Sequence, residues 1–392
     1  MAQITNTVLA NAIQTFWDKG LLKVYIKTLK AGDFASQRKI TNANTVRFAR
    51  FEKFARPAKM TEGGLPTPQT FSVNYLEVSL DEYALAAQMT DWSMHDNAFG
   101  DLLAKTTERA GIAMAEGADY VTMKKMCTHA YRVPSGLDLS RRAKGTASSG
   151  STSTLVCSTL AGAFADDDFN GSTLLVYEGT NKGIAREVYD FTASTCTFTF
   201  TGDLFPQAND STSKFICWKR NGTLVAPDTN TFLVMAAMAK SHGLKKPAGE
   251  VGVPILIPSS FLPEFFKDTI FQTQQLNIPN NHYQDADVKK WGSFLLIQHD
   301  QPYVEDASAA GAEAETTGSR CLCPVIGVDS YSIARQSKGS GKFGLENFVV
   351  DQPDHTNMIM AYTTLGSKHR FGVEVINAEN LLALEVPYVN YD

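Results

Sequence analysis

At 392 residues, 43% hydrophobic and 20% charged, the chain has room for two or three domains at ~150 residues each, and its composition excludes global disorder. A formal net charge of -5 excludes a uniformly basic, dedicated nucleic-acid binder. The six cysteines (Cys127, Cys157, Cys196, Cys217, Cys321 and Cys323) are too few and too scattered for a disulfide scaffold, so reduced thiols in an intracellularly assembled protein are expected.

The charge is uneven. Residues 1–60 carry Lys19, Lys23, Lys27, Lys30, Arg38, Lys39, Arg47, Arg50, Lys53, Arg56 and Lys59 against only Asp18, Asp33 and Glu52, which leaves the remainder distinctly acidic. Such asymmetry marks either a segment that meets an acidic partner, DNA or a neighbouring copy, or a solvated basic face. Residues 1–15 lack the charged start and apolar stretch of a secretory signal, and no run approaches the ~20 apolar residues of a membrane span, so neither export nor a membrane is expected.

Within this basic segment, residues 7–30 place Val8, Leu9, Ala12, Ile13, Phe16 and Trp17 at helical spacing, with Leu21, Leu22, Tyr25, Ile26 and Leu29 resuming after Gly20. The pattern predicts an amphipathic arm packed on something else, or else an N-terminal helix of the core. Residues 44–90 shift to alternation around the turn-rich run Met60-Thr-Glu-Gly-Gly-Leu-Pro-Thr-Pro68, which predicts a long two-stranded hairpin. A lone hairpin is marginal in water, so it must lie on its own domain or on a neighbour. Residues 97–131 predict one long helix, with Ala110, Gly111, Ala113, Ala115, Gly117 and Ala118 keeping its surface thin for close packing.

Residues 137–153 have linker composition, and 154–222 hold short β-rich runs that predict a small β-barrel or sandwich. A helix over 228–245, a strand at 254–258, a helix over 261–269, strands at 291–297 and 323–328 and a loop over 306–319 follow. Two closing strand regions, 345–364 and 367–387, come last, the second turning at 377–380.

Motifs for chemistry are absent or degraded. Ser337-Lys-Gly-Ser-Gly-Lys-Phe343 misses the P-loop pattern, since Gln336 stands where its first glycine belongs and Phe343 where Ser or Thr is needed. Asp166, Asp167 and Asp168 lack the alternating ligands of a calcium loop, and Cys321-Leu-Cys323 lacks the second pair of a zinc knuckle. The seven histidines form no metal motif, and no nucleophile elbow occurs. Neither an enzyme nor a cofactor is expected.

The order of elements resembles the major capsid proteins of tailed bacteriophages, whose fold encapsulins share. Phe16-Trp-Asp-Lys-Gly-Leu-Leu22 resembles the arm of a podophage-type branch, and the 60–68 run resembles the family's hairpin tip. Ile255-Leu-Ile-Pro-Ser-Ser-Phe-Leu-Pro263 resembles the entry to its A-domain, and Leu365-Gly-Ser-Lys-His-Arg-Phe-Gly-Val-Glu-Val-Ile376 its closing P-domain strand. The resemblance implies an α+β capsid fold: N-terminal arm 1–43, E-loop 44–90, spine helix of the P-domain 91–136, A-domain 226–344 and closing P-domain strands 345–392. Residues 137–225 read as an inserted small β-barrel or sandwich domain. It implies hexamers and pentamers closing an icosahedral head around double-stranded DNA, assembled in the host cytoplasm, with scaffolding, portal and decoration proteins as further partners. Subunit-contact candidates are Trp17, Arg47, Arg50, Lys53, Arg56, Thr61, Glu62 and Gly63. The alternatives are an encapsulin-like compartment or another virion protein of tail or neck.

Overall fold

The computed structural model describes residues 30–40, 44–51, 73–90, 102–135, 142–219, 226–247, 250, 252–258, 290–305, 319–336, 345–350 and 362–388. The arm helix, the hairpin tip, the helix expected over 261–269, most of the 306–319 loop and the glycine-rich run after Gln336 lie outside the described residues.

Four strands open the described chain: β1 (Ser36–Ile40), β2 (Thr45–Phe51), β3 (Val73–Ser79) and β4 (Asp81–Thr90). Helix α1 (Leu102–His129) and β5 (Tyr131–Pro134) follow. Next come β6 (Arg142–Thr146), β7 (Ser149–Gly150), β8 (Thr154–Val156), β9 (Thr173–Glu178), β10 (Ile184–Glu187), β11 (Asp190–Thr192), β12 (Thr197–Thr199) and β13 (Lys214–Trp218). Helix α2 (Thr229–Ser241) leads to β14 (Val253–Ile257), β15 (Lys290–Trp291), β16 (Phe294–Gln298), β17 (Tyr303–Glu305) and β18 (Arg320–Ile326). The chain closes on β19 (Tyr331–Gln336), β20 (Leu345–Val350), β21 (Tyr362–Val375) and β22 (Leu381–Pro387).

Helix α1 has 28 residues, about 42 Å at 1.5 Å each. Ala110 and Met114 are buried on one side of the helix and Met123, Met126 and Cys127 on roughly the opposite side, so the helix is covered on two sides along its length. A Cβ built on Gly111 or Gly117 meets nothing within 4 Å among the described residues. Helix α2 starts where Asp228 accepts from the Thr231 N–H at 2.8 Å, an ordinary side-chain N-cap.

The 14-residue β21 is the rod of a mixed sheet. It pairs antiparallel with β4 along one edge and with β20 and β19 along the other, and β1 adds in parallel to β19. Two expectations are corrected here. Residues 81–90 are not part of the hairpin, because β4 turns back at Leu80 to join β21. The end of the expected arm is likewise a sheet strand, β1. Where β3 ends it crosses β21 closely: a Cβ on Gly372 would stand 2.0 Å from the Ser79 carbonyl oxygen, so only glycine fits.

A second mixed sheet runs β15-β16-β14-β18-β22-β5, with β17 also on β18. Its central strands β18 and β22 are buried almost throughout, because apolar layers cover both faces. The turn between β21 and β22 falls at the expected place, with Asn377 Oδ1 accepting from the Glu379 N–H at 3.2 Å.

Residues 142–219 build a two-sheet β unit, β10-β9-β13-β6 against β11-β12-β8-β7. Phe169, Phe191, Phe198, Phe200, Phe205 and Phe215 fill the space between, with Phe169 edge-on to Phe191 at 4.9 Å. The linker reading of 137–153 is wrong where the chain is described: β6 pairs with β13, and β7 pairs with β8. Small residues there answer to packing, not to flexibility. Ala143 and Ala147 are buried, and a Cβ on Gly145 would stand 2.9 Å from Cys157 Sγ. The unit is also not a bead on a string. Alternate residues of its inner sheet, Leu175, Ala185, Ile216 and Trp218, belong to the main core, while Leu174, Val176, Phe215 and Cys217 face its own.

Candidate interaction surfaces

Strands β2 and β3 pair in one unbroken antiparallel register, Thr45 opposite Ser79 through Phe51 opposite Val73. Their alternation separates two faces. On the inner face Val46, Phe48, Val78 and Leu80 pack with Ile40 and Ala334, and Leu76 joins the core of the β unit. The base of the hairpin is therefore satisfied by its own subunit. On the outer face Tyr75 is 59% exposed, and Arg47 Nε holds Glu77 Oε2 at 3.1 Å in the open. An exposed pair of this kind adds at most ~1 kcal/mol, so both groups are free to exchange partners. Of the contact candidates, Arg47 stands on this face and Arg50 is a residue of β2. Trp17, Lys53, Arg56, Thr61, Glu62 and Gly63 lie outside the described residues.

The point where residues 1–29 meet the body is held by groups far apart in sequence. The Ala31 N–H donates to Asp119 Oδ1 on α1 at 3.0 Å, and the Lys30 N–H donates to His299 Nδ1 at 3.2 Å. The Tyr331 hydroxyl donates to the Ala31 carbonyl. His299 Nδ1 is thus an acceptor, which leaves its proton on Nε2, 3.1 Å from Asp119 Oδ2. Ala31, Asp119 and His299 are all buried, so this is a fixed post.

A buried ion network ties α1's end to two sheets. Arg132 meets Glu305 in a two-pronged contact, at 2.8 and 3.0 Å, donates to the Gly171 carbonyl at 3.1 Å, and stands 3.5 Å from Glu187 of the β unit. Arg320 and Glu385 pair beside it at 3.3 Å. Burial alone would lower the Arg132 pKa; Glu305, Glu187 and Glu385 outweigh it and hold the guanidinium charged.

A second polar contact clasps the β unit to α1. Asp203 lies 2.6 Å from Lys125 Nζ and 2.8 Å from His129 Nε2, and Lys125 also reaches Glu374 at 3.4 Å. These groups and Arg186 line a cavity of about 380 Å³. Burial pulls His129 below its usual pKa, against the bond to Asp203 and with the help of Arg186 and Lys125. The bond from His129, more than that from Lys125, holds the Asp203 carboxyl well below the carboxylate range. Both shifts have one sign. The unfolded chain takes up a proton at His129 as pH falls through about 6.5 and at Asp203 below about 4, so folded stability falls with acid in both windows. Asp203 is largely exposed, so its share is small. Thermal melting followed from pH 8 to pH 5 is expected to fall less steeply in His129→Gln than in the unaltered protein. Identical slopes would remove His129 from the account.

Asp166 and Asp168 are spent on local structure: they accept from the Ala193 and Ala165 N–H groups, and Lys219 lies 2.6 Å from Asp168. Among the described residues no cluster of His, Cys, Asp and Glu has the form of a metal site. No helix among them is long and apolar enough to cross a membrane. The buried charged groups close to one another, Arg132 with Glu305 and Arg320 with Glu385, brace one element against another.

A solved structure of the cyanophage Pam1 capsid asymmetric unit matches 99% of this chain and 99% of its own, at TM-score 0.58 and 11% identity. The capsid of cyanophage P-SCSP1u matches 99% of this chain and 97% of its own, at TM-score 0.55 and 10% identity. The mature capsid of bacteriophage PhiM1 matches 96% and 93%, at TM-score 0.53 and 8% identity. The chain has the phage capsid fold. No family model and no curated protein matches the sequence. The capsid fold is thus carried here by a sequence that keeps little of those structures' residue identity.

Proposed function

We propose that the chain is the major capsid protein of a tailed phage, a non-enzymatic subunit whose copies form hexamers and pentamers and close an icosahedral head around double-stranded DNA. The observation that carries this reading is the match of the capsid fold over 99% of the chain. In these terms the arm lies within residues 1–43, the E-loop within 44–90, the spine helix within 91–136, the A-domain within 226–344 and the closing P-domain strands within 345–392. Residues 137–225 are an added β domain. The pairing of β1 and β4 into the sheet of β21 supports placing 36–40 and 81–90 at the P-domain, beyond the strict arm and loop.

The hairpin supplies the contact between copies. Its inner face is used up at home, and its outer face offers Tyr75 and Arg47, with Arg50, Lys53, Arg56, Thr61, Glu62 and Gly63 further along the loop and Trp17 on the arm. The basic first sixty residues meet the acidic body of a neighbour or the phosphates of packaged DNA, without sequence preference. Scaffolding, portal and decoration proteins complete the partners, and the virion is the place of action. The podophage-type branch rests on the motif at residues 16–22 alone. Particles filled with a protein cargo and no genome would instead mark an encapsulin-like compartment.

Tyr75→Asp tests the reading at one exposed side chain. The variant is expected to melt as the unaltered protein does, because Tyr75 packs little at home, yet to lose assembly at least tenfold by velocity sedimentation. Aromatic interface anchors are worth about 2 kcal/mol or more, and the loss repeats in every copy. Unchanged sedimentation would remove the outer face of the hairpin as a contact.

A further inference from the structure

One pair of thiols lies where a covalent bond needs no change of fold. Strands β8 and β12 set Val156 opposite Thr197, and just beyond their ends Cys157 meets Cys196, a turn residue with φ of 46°. The Cys157 N–H donates to the Cys196 carbonyl at 3.0 Å. That backbone bond brings the two residues side by side, and their thiols lie against one another, which is the closeness a disulfide needs. Both side chains are fully buried in the same apolar cluster, and both are free thiols in this structure.

We propose that Cys157 and Cys196 form a disulfide once the folded subunit meets an oxidising medium, stapling the β unit between β8 and β12. The two thiols give up two protons and two electrons as the S–S bond forms. A low-molecular-weight disulfide in the medium accepts them and splits into two thiols. Burial, with the Cys157 thiol beside it, pushes the Cys196 thiol up to about 12. The thiolate is therefore scarce at neutral pH, so the bond forms slowly and, once formed, is hidden from reductants. The proposal rests on the capsid reading in one respect only: a virion leaves the reducing cytoplasm, where such bonds do not persist. The remaining thiols have other surroundings. Cys127, Cys321 and Cys323 lie in the main core, and Cys217 faces Ala143 across β6 and β13.

The test uses the full chain, purified reduced and then held in excess oxidised glutathione. Expected are a peptide linking Cys157 to Cys196 in a non-reducing digest, a loss of two titratable thiols, and a rise in melting temperature of roughly 5–10 °C for closing a loop of about 40 residues. Cys157→Ser and Cys196→Ser should each show no rise in melting temperature on oxidation, starting from a lower value than the reduced protein because each buries a hydroxyl in the apolar cluster. The digest of the unaltered chain decides the matter even where a variant fails to fold. A glutathione adduct at either cysteine without the link, a link to Cys217 in its place, or no link after refolding in the oxidant would overturn the proposal. Formation of the bond in a chain that never assembles would leave it standing and remove the capsid reading instead.

Discussion

Arg132→Met is expected to destabilise the subunit by about 3–5 kcal/mol, because it leaves Glu305 fully buried and without its guanidinium. The loss does not measure the worth of the ion pair. Bringing Arg132 and Glu305 out of water costs several kcal/mol for each, and their contact offsets that cost only because the two-pronged geometry is good and the Gly171 and Cys127 carbonyls take further protons. Removing both charges together, as Arg132→Met with Glu305→Leu, is therefore expected to recover most of the stability. Glu187 stands at the edge of the network and is partly exposed, so it can stay charged by turning to solvent. Urea unfolding of the unassembled subunit checks both variants. A single variant within about 1 kcal/mol of the unaltered protein would show that Glu305 finds another partner or takes up a proton at little cost.

Replacing residues 142–218 with a short glycine-serine link is expected to abolish soluble, folded subunit. The ends of the β unit invite the deletion, since Arg142 and Trp218 are register partners across β6 and β13, close enough for a few residues to bridge. The packing forbids it. Leu175, Ala185, Ile216 and Trp218 leave the main core with the unit, and at about 1.5–3 kcal/mol for each large side chain the loss consumes much of an ordinary stability of about 5–15 kcal/mol. The contacts of Arg132 with Glu187 and of α1 with Asp203 go as well. The excised unit should fare no better, because the same face turns to water and invites aggregation. Expression, limited proteolysis and thermal melting read the outcome. A soluble deletion variant with a sharp melt would show that the β unit is separable after all.

Much of the fold could be read locally. Helix α1 follows from apolar and small residues recurring at helical spacing, and the β21–β22 turn from Asn377 capping three residues of tight helix. The core strands at 253–257, 294–298 and 320–326 follow from apolar runs bounded by turns or proline. The misread stretch, 142–150, shows where this stops. Its Gly, Ala, Ser and Thr residues have no strand signal of their own; pairing with β13 and β8, and the closeness of Cys157 to Gly145, decide its state. The same holds for β4, whose alternation says strand but not which partner. Of the interaction surface, Arg47 was legible as a basic residue on an alternating strand, whereas Tyr75 became visible only once the register split the hairpin into two faces. Arg132 with Glu305, and Asp119 with His299, are joined across more than 170 residues, and no spacing in the sequence announces them.

Negative-stain electron microscopy of the purified, unaltered protein tests the central claim most directly. The expected result is uniform closed shells, or rings of five and six subunits that close into shells at high concentration. A stable monomer or dimer at every concentration and salt would contradict it.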